Sequence, residues 1–144
     1  MLIINNIEHE IQDIKTTFGL YNVSDNGNTM FGGYNVSDNR KKRNSEAPFI
    51  KFYTKSNVFV GVETVYDKRW LQELKLNYKK DITRYTTDIT FEDEAGWVSL
   101  ITGTYTCFLE RISQNEFKLE LSCKAYECDE EFNILISENI IHDL

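Results

Sequence analysis

Two short runs of carboxylates, Glu92-Asp93-Glu94 and Glu127 through Glu131 with Cys128 inside it, are the densest chemistry in this 144-residue chain. Trp97 follows the first run closely, and Tyr126 immediately precedes the second. An aromatic ring offers wide contact area with a polar tip, and acids around it attract cations. The combination suits a surface that grips a basic protein. The candidate partner-binding residues are therefore Glu92, Asp93, Glu94, Trp97, Tyr126, Glu127, Asp129, Glu130 and Glu131. Acids in turns also keep β-rich proteins soluble and shield sheet edges, so the same residues have a purely structural reading.

Other constellations carry less. Cys107, Cys123 and Cys128 with His142 could supply four zinc ligands, but the C-x4-C spacing is loose. Cys107 and Cys123 fall at strand positions where small buried thiols are ordinary, and Cys128 is the expected exposed thiol. No metal and no cofactor are expected. His9 and His142 are the only histidines, and neither has a neighbouring motif that would activate a Ser or Cys nucleophile. No phosphate-binding loop, GxGxxG or HExxH is present. A hydrolytic carboxylate pair is the remaining catalytic option, so an enzyme is the least expected class.

Charge supports the binding reading. The net charge is −7, yet residues 1–80 sum to +3 and residues 81–144 to −10. The basic share owes its sign to Arg40-Lys41-Lys42-Arg43, a run without interleaved aromatics for base stacking. A solvated loop is its simplest reading. Such a field disfavours nucleic acid and speeds encounter with a basic partner. No apolar run approaches the roughly 18 residues of a membrane span. MLIINNIEHE has no basic segment and carries early acids, so no secretory signal is expected. Three cysteines without an export signal suggest reduced thiols and a cytoplasmic location, which discounts the Asn-Val-Ser sequons at Asn22 and Asn35.

The elements that must position these residues follow from periodicity. Ile7, Ile11, Ile14 and Phe18 fall at i, i+4, i+7 and i+11. With Asn5 and Glu8 as a capping-box-like start and Gly19 as a stop, they predict an amphipathic helix over residues 6–18. After Glu46 the period becomes two: 49–53, 58–62, 82–91, 97–109, 117–125 and 132–136 read as strands, separated by Asn-, Asp- and Gly-bearing turns. Residues 67–80 fit a helix capped by Asp67 or a strand, with the strand preferred because it keeps the spacing. The expectation is one mainly β (α+β) domain over 1–144. It is an antiparallel meander of six to eight strands closing as a sandwich or barrel behind the N-terminal helix.

Between the helix and the first clean strand, YNVSDN occurs twice, at 21–26 and 34–39. The 20–46 segment reads as a Gly/Asn/Ser-rich surface hairpin or mobile loop, with Asp25-Asn26-Gly27 as a hairpin turn. A calcium loop from Asp25, Asn26, Asn28 and Asp38 lacks the ligand alternation and closing Glu of an EF-hand. The leading functional expectation is a small acidic cytosolic module that occupies a basic surface, in the manner of immunity proteins or phage-borne inhibitors. The alternatives are a structural subunit of a larger assembly, such as a virion component, and a β-barrel holding a small ligand. The oligomeric state is open.

Overall fold

The structure, a computed structural model, describes the backbone of residues 1–23, 29–31 and 43–144 and the side chains of residues 1–19 and 47–144. The YNVSDN repeat beyond Val23, the basic run before Arg43, and the calcium-loop residues Asp25, Asn26, Asn28 and Asp38 lie outside the described residues.

In chain order the strands are β1 (Leu2–Ile4), β2 (Ile7–His9), β3 (Ile11–Val23), β4 (Thr29–Phe31), β5 (Arg43–Thr54) and β6 (Phe59–Thr64). A short helix α1 (Lys68–Glu73) follows. Then come β7 (Lys79–Asp81), β8 (Thr86–Asp93), β9 (Gly96–Ser99), β10 (Thr104–Arg111), β11 (Glu116–Glu127) and β12 (Glu130–Ile141). They form two antiparallel sheets, ordered β2-β1-β12-β11-β10-β7 and β4-β3-β5-β6-β8-β9. Neither sheet closes on itself, so the fold is sandwich-like and the barrel form of the expectation falls. No helix among the described residues is long and apolar enough to cross a membrane.

Alternation explains the two layers. In β11, Phe117, Leu119, Leu121, Cys123 and Ala125 are buried, while Ser122, Lys124 and Tyr126 between them are exposed. From the other sheet, Ile50, Phe52, Val60, Val62 and Ile89 join the same core. A face of five successive inward residues leaves water only against a second sheet, which is why sandwiching follows from the pattern.

The expected helix over 6–18 is instead β2 and most of β3. A spacing of four is even, so Ile14 and Phe18 share one face of a strand as readily as of a helix. The odd step from Ile11 to Ile14 is absorbed by a bulge, where Ile11 pairs with Thr54 and Asp13 with Tyr53, leaving Gln12 extra. Ile7 belongs to the other sheet and is 63% exposed. Asn5 is no helix cap. Asn5 and Asn6 have φ of 50° and 68° and make the two-residue turn that pairs Ile4 with Ile7. Gly19 lies mid-strand opposite Ala47.

Residues 67–80, preferred as a strand, hold α1 and then β7. Asp67 accepts from the Trp70 amide at 2.9 Å, a side-chain N-cap. Leu71, which lies on the wrong face of a strand, reaches full burial from the helical turn. Leu76 and Tyr78, which a strand would place on one face with Trp70 and Leu74, are 58% and 57% exposed.

The C-terminal end of β12 leads into an unusual core residue. His142 is fully buried among Phe18 and Phe117, with ring centroids at 5.2 and 5.3 Å, and neither ring nitrogen has a hydrogen-bond partner among the described residues. Burial pushes its pKa down to about 4 from 6.5. The unfolded chain therefore binds the extra proton first as pH falls, and the folded state loses stability between about pH 6.5 and 4. Below the lower value the loss is complete, at about 3 kcal/mol. Urea titrations should show His142→Phe largely free of this loss, so that the variant gains on the wild type across that window. A difference between the two that does not change with pH would contradict the assignment.

Candidate functional site

The acidic runs occupy two hairpin turns in different sheets. In the β8–β9 turn, the Asp93 carboxylate accepts from the Ala95 amide at 2.9 Å, and Gly96 sits at φ 131°, where a side chain would be strained. In the β11–β12 turn, Glu127 pairs with Glu130 across Cys128 and Asp129, whose φ values of 53° and 61° define a type I′ hairpin. Asn5 steadies that turn: its amide nitrogen donates to the Glu131 carbonyl at 3.1 Å, and its side-chain oxygen accepts from the Asn133 amide at 2.8 Å.

The turns meet because each is preceded or followed by an inward phenylalanine. Phe91 of β8 and Phe132 of β12 pack with ring centroids 5.1 Å apart. Between the turns lies a groove of about 180 Å³ lined by Phe91, Val98 and Phe132, by Trp97, and by Asp93, Cys128 and Glu130. Glu94 and Asp129 stand exposed at the turn tips. The Glu127 carboxylate accepts from the Thr102 hydroxyl. Asp93, Glu94, Glu127, Asp129, Glu130 and Glu131 enter no ion pair with a described residue.

Strand parity turns the remaining candidates to the outer faces, where Trp97 still lines the groove and Glu92, Tyr126 and Glu131 do not. Phe91 and Val98 pair and face the core, so the next pair, Glu92 with Trp97, faces outward on the second sheet. There Glu92 meets Lys51 at 3.4 Å, and the Lys51 ammonium lies 5.1 and 5.3 Å from the ring centroids of Tyr53 and Phe59. Glu92 is thus committed to its own sheet. Ala125 and Phe132 pair inward, so Tyr126 with Glu131 faces outward on the first sheet, beside Lys124. Trp97 and Tyr126, 70% and 68% exposed, therefore stand on opposite outer faces and do not form one aromatic anchor. The aromatic floor is Phe91 and Phe132, which sequence reasoning passed over. Their signal was available, because each is the inward residue nearest an acidic turn.

Three further groupings bear on chemistry. His9 Nδ1 lies 2.6 Å from the Ser56 hydroxyl, a contact between distant segments that spacing does not reveal; among the described residues no carboxylate bonds the ring. Glu63 and Asp88 face each other across β6 and β8, and burial, then the charge of Asp88, raises the Glu63 pKa. Among the described residues no group of three or more His, Cys, Asp and Glu side chains is placed to hold a metal ion.

Comparison with protein-family models, curated proteins and solved structures finds no match. The site rests on its own geometry.

Thiol chemistry tests the arrangement of the strands around it. Cys107 and Cys123 are buried, which pushes their pKa values up to about 12 and about 11, whereas Cys128 is exposed at the acidic turn. A thiol reagent at about pH 8 should consume one thiol per native chain promptly and the other two only on unfolding. Three thiols reacting together in the native protein would contradict the inward placement of Cys107 and Cys123.

Proposed function

We propose that this chain is an acidic protein-binding module that seats the end of its sandwich, at the β8–β9 and β11–β12 turns, on a basic surface of a partner protein. The observation that supports this reading most is the Phe91–Phe132 contact, which sets two acidic turns on either side of one groove. An apolar floor under a carboxylate rim suits a lysine or arginine of the partner: the aliphatic stem lies on Phe91, Val98 and Phe132 and the head meets Asp93 and Glu130. The acids around it, which enter no ion pair with a described residue, add a field that steers a basic protein to this end. Occupying a basic surface is a way to block whatever that surface does, which agrees with an inhibitory role.

The test uses a basic protein captured from the source cells at low salt. Replacing Asp93, Glu94 and Glu130 together by Lys should slow association by roughly tenfold or more at low salt, since steering sets on-rates. These are exposed turn and rim positions, so unfolding stability should change by less than about 0.5 kcal/mol for each. Glu92→Lys serves as the comparison, because Glu92 faces Lys51 rather than the groove. It should leave the association rate near that of the wild type. Equal rates for the triple variant and the wild type would remove the proposal, as would an effect confined to Glu92→Lys.

A further inference from the structure

At 70%, Trp97 is the most exposed large apolar side chain among the described residues. Phe18, Tyr53, Phe59 and Phe108 each lie beneath a lysine ammonium of the same chain. Trp97 makes no ring or cation contact with a described residue. An indole is the aromatic group that attracts cations most strongly, and exposed tryptophans are concentrated at binding surfaces. This indole belongs to the lining of the groove between the acidic turns, beside Phe91, Val98, Asp93 and Glu130. A cation over Trp97 would therefore also meet carboxylates and an apolar wall.

We infer that the groove selects an arginine of the partner protein over a lysine, stacking the guanidinium plane on Trp97 and sharing its N–H groups between Asp93 and Glu130. The inference rests on the acidic-end reading above and names the side chain which that end takes. The acceptors are in place. One Asp93 oxygen accepts from the Ala95 amide at 2.9 Å, which leaves the other, and the Glu130 side chain enters no hydrogen bond or ion pair with a described residue. The two acids belong to turns of different sheets, so they offer acceptors from two walls of the groove. A guanidinium carries five N–H donors in one rigid plane and can serve both walls while its face lies on a ring. An ammonium is a compact point charge that holds its water more strongly, so entering a groove lined by Phe91 and Val98 costs it more. The aliphatic stem of the arginine lies along those two residues.

Small residues keep the approach to the indole clear. Ala95 and Gly96 also line the groove, and a Cβ added at Gly96 would meet nothing within 4 Å. Cys128 lines it from the other turn, and its exposed thiol makes a reporter of occupancy that is independent of Trp97.

The probes are acetylated tetra-arginine and tetralysine amides, equal in charge, titrated into the full chain at about 20 mM ionic strength. The arginine peptide should bind roughly two- to fivefold more tightly, shift the Trp97 indole N–H resonance and slow alkylation of Cys128. Trp97→Ala should bring the arginine peptide down to the affinity of the lysine peptide, and Trp97→Phe, which keeps an aromatic face, should retain part of the preference. Trp97 is exposed, so both variants should fold. Equal affinities in the wild type would overturn the inference. So would a preference that survives Trp97→Ala, or binding that leaves Cys128 unshielded. These outcomes leave the acidic-end reading standing as long as replacing Asp93, Glu94 and Glu130 together by Lys still abolishes binding of both peptides. Binding that ignores that triple variant, or no binding of either peptide to the wild type, would remove the reading and the inference together.

Discussion

Along β11 and β12, twelve consecutive residue pairs run from Glu116 with Ile141 to Glu127 with Glu130 without a register shift. Phe117, Leu119, Leu121, Cys123, Ala125, Phe132, Ile134, Ile136 and Ile140 all take the inner face of that ladder. Such a face must be covered, and burial of its large side chains contributes about 1.5–3 kcal/mol each. The rest of the chain is arranged to supply the cover. β1 and β10 extend the ladder on its two sides, and β5, β6 and β8 bring Ile50, Phe52, Val60, Val62 and Ile89 across from it. The same ladder ends in the Cys128–Asp129 turn, so the interaction that builds the core also places the acidic groove.

That dependence makes fold and site inseparable at one end of the molecule. Phe132 is both the first inward residue after the turn and part of the groove lining, and Phe91, the last inward residue before its turn, plays the matching part in the other sheet. Asn5 adds a polar clamp from the N-terminal hairpin, tying β1 to β12 two and four residues beyond Asp129. The carboxylates therefore ride on a turn held by packing on one side and hydrogen bonds on the other. Preorganisation of this kind limits the entropy lost on binding.

Much of this was legible in the sequence where a pattern was local and long. The alternation from Phe117 to Ala125 and from Phe132 to Ile136 identified the central strands, and Asn, Asp and Gly marked their turns. Legibility failed where two periods coincide. Ile14 and Phe18 satisfy both a helix and a strand, and a bulge at Gln12 imitated the helical step of three. It failed again at residues 67–80, where the burial demanded by Leu71 was met by a turn of helix capped by Asp67. The acidic turns were visible as turns, but their meeting depends on how two sheets stack, which single-strand periodicity does not encode. The separation of Trp97 from Tyr126 was readable in principle, since each lies one residue out of phase with an inward neighbour.

The most direct measurement is a nuclear Overhauser experiment between the ring protons of Phe91 and Phe132. These residues lie 41 positions apart in the chain and in different sheets, yet their ring centroids are 5.1 Å apart. The stacking of the two sheets predicts strong cross-peaks between the two rings in the native protein, lost together with the fold. A folded protein with both rings assigned and no such cross-peak would contradict the meeting of the acidic turns, and with it the groove on which the proposed function rests.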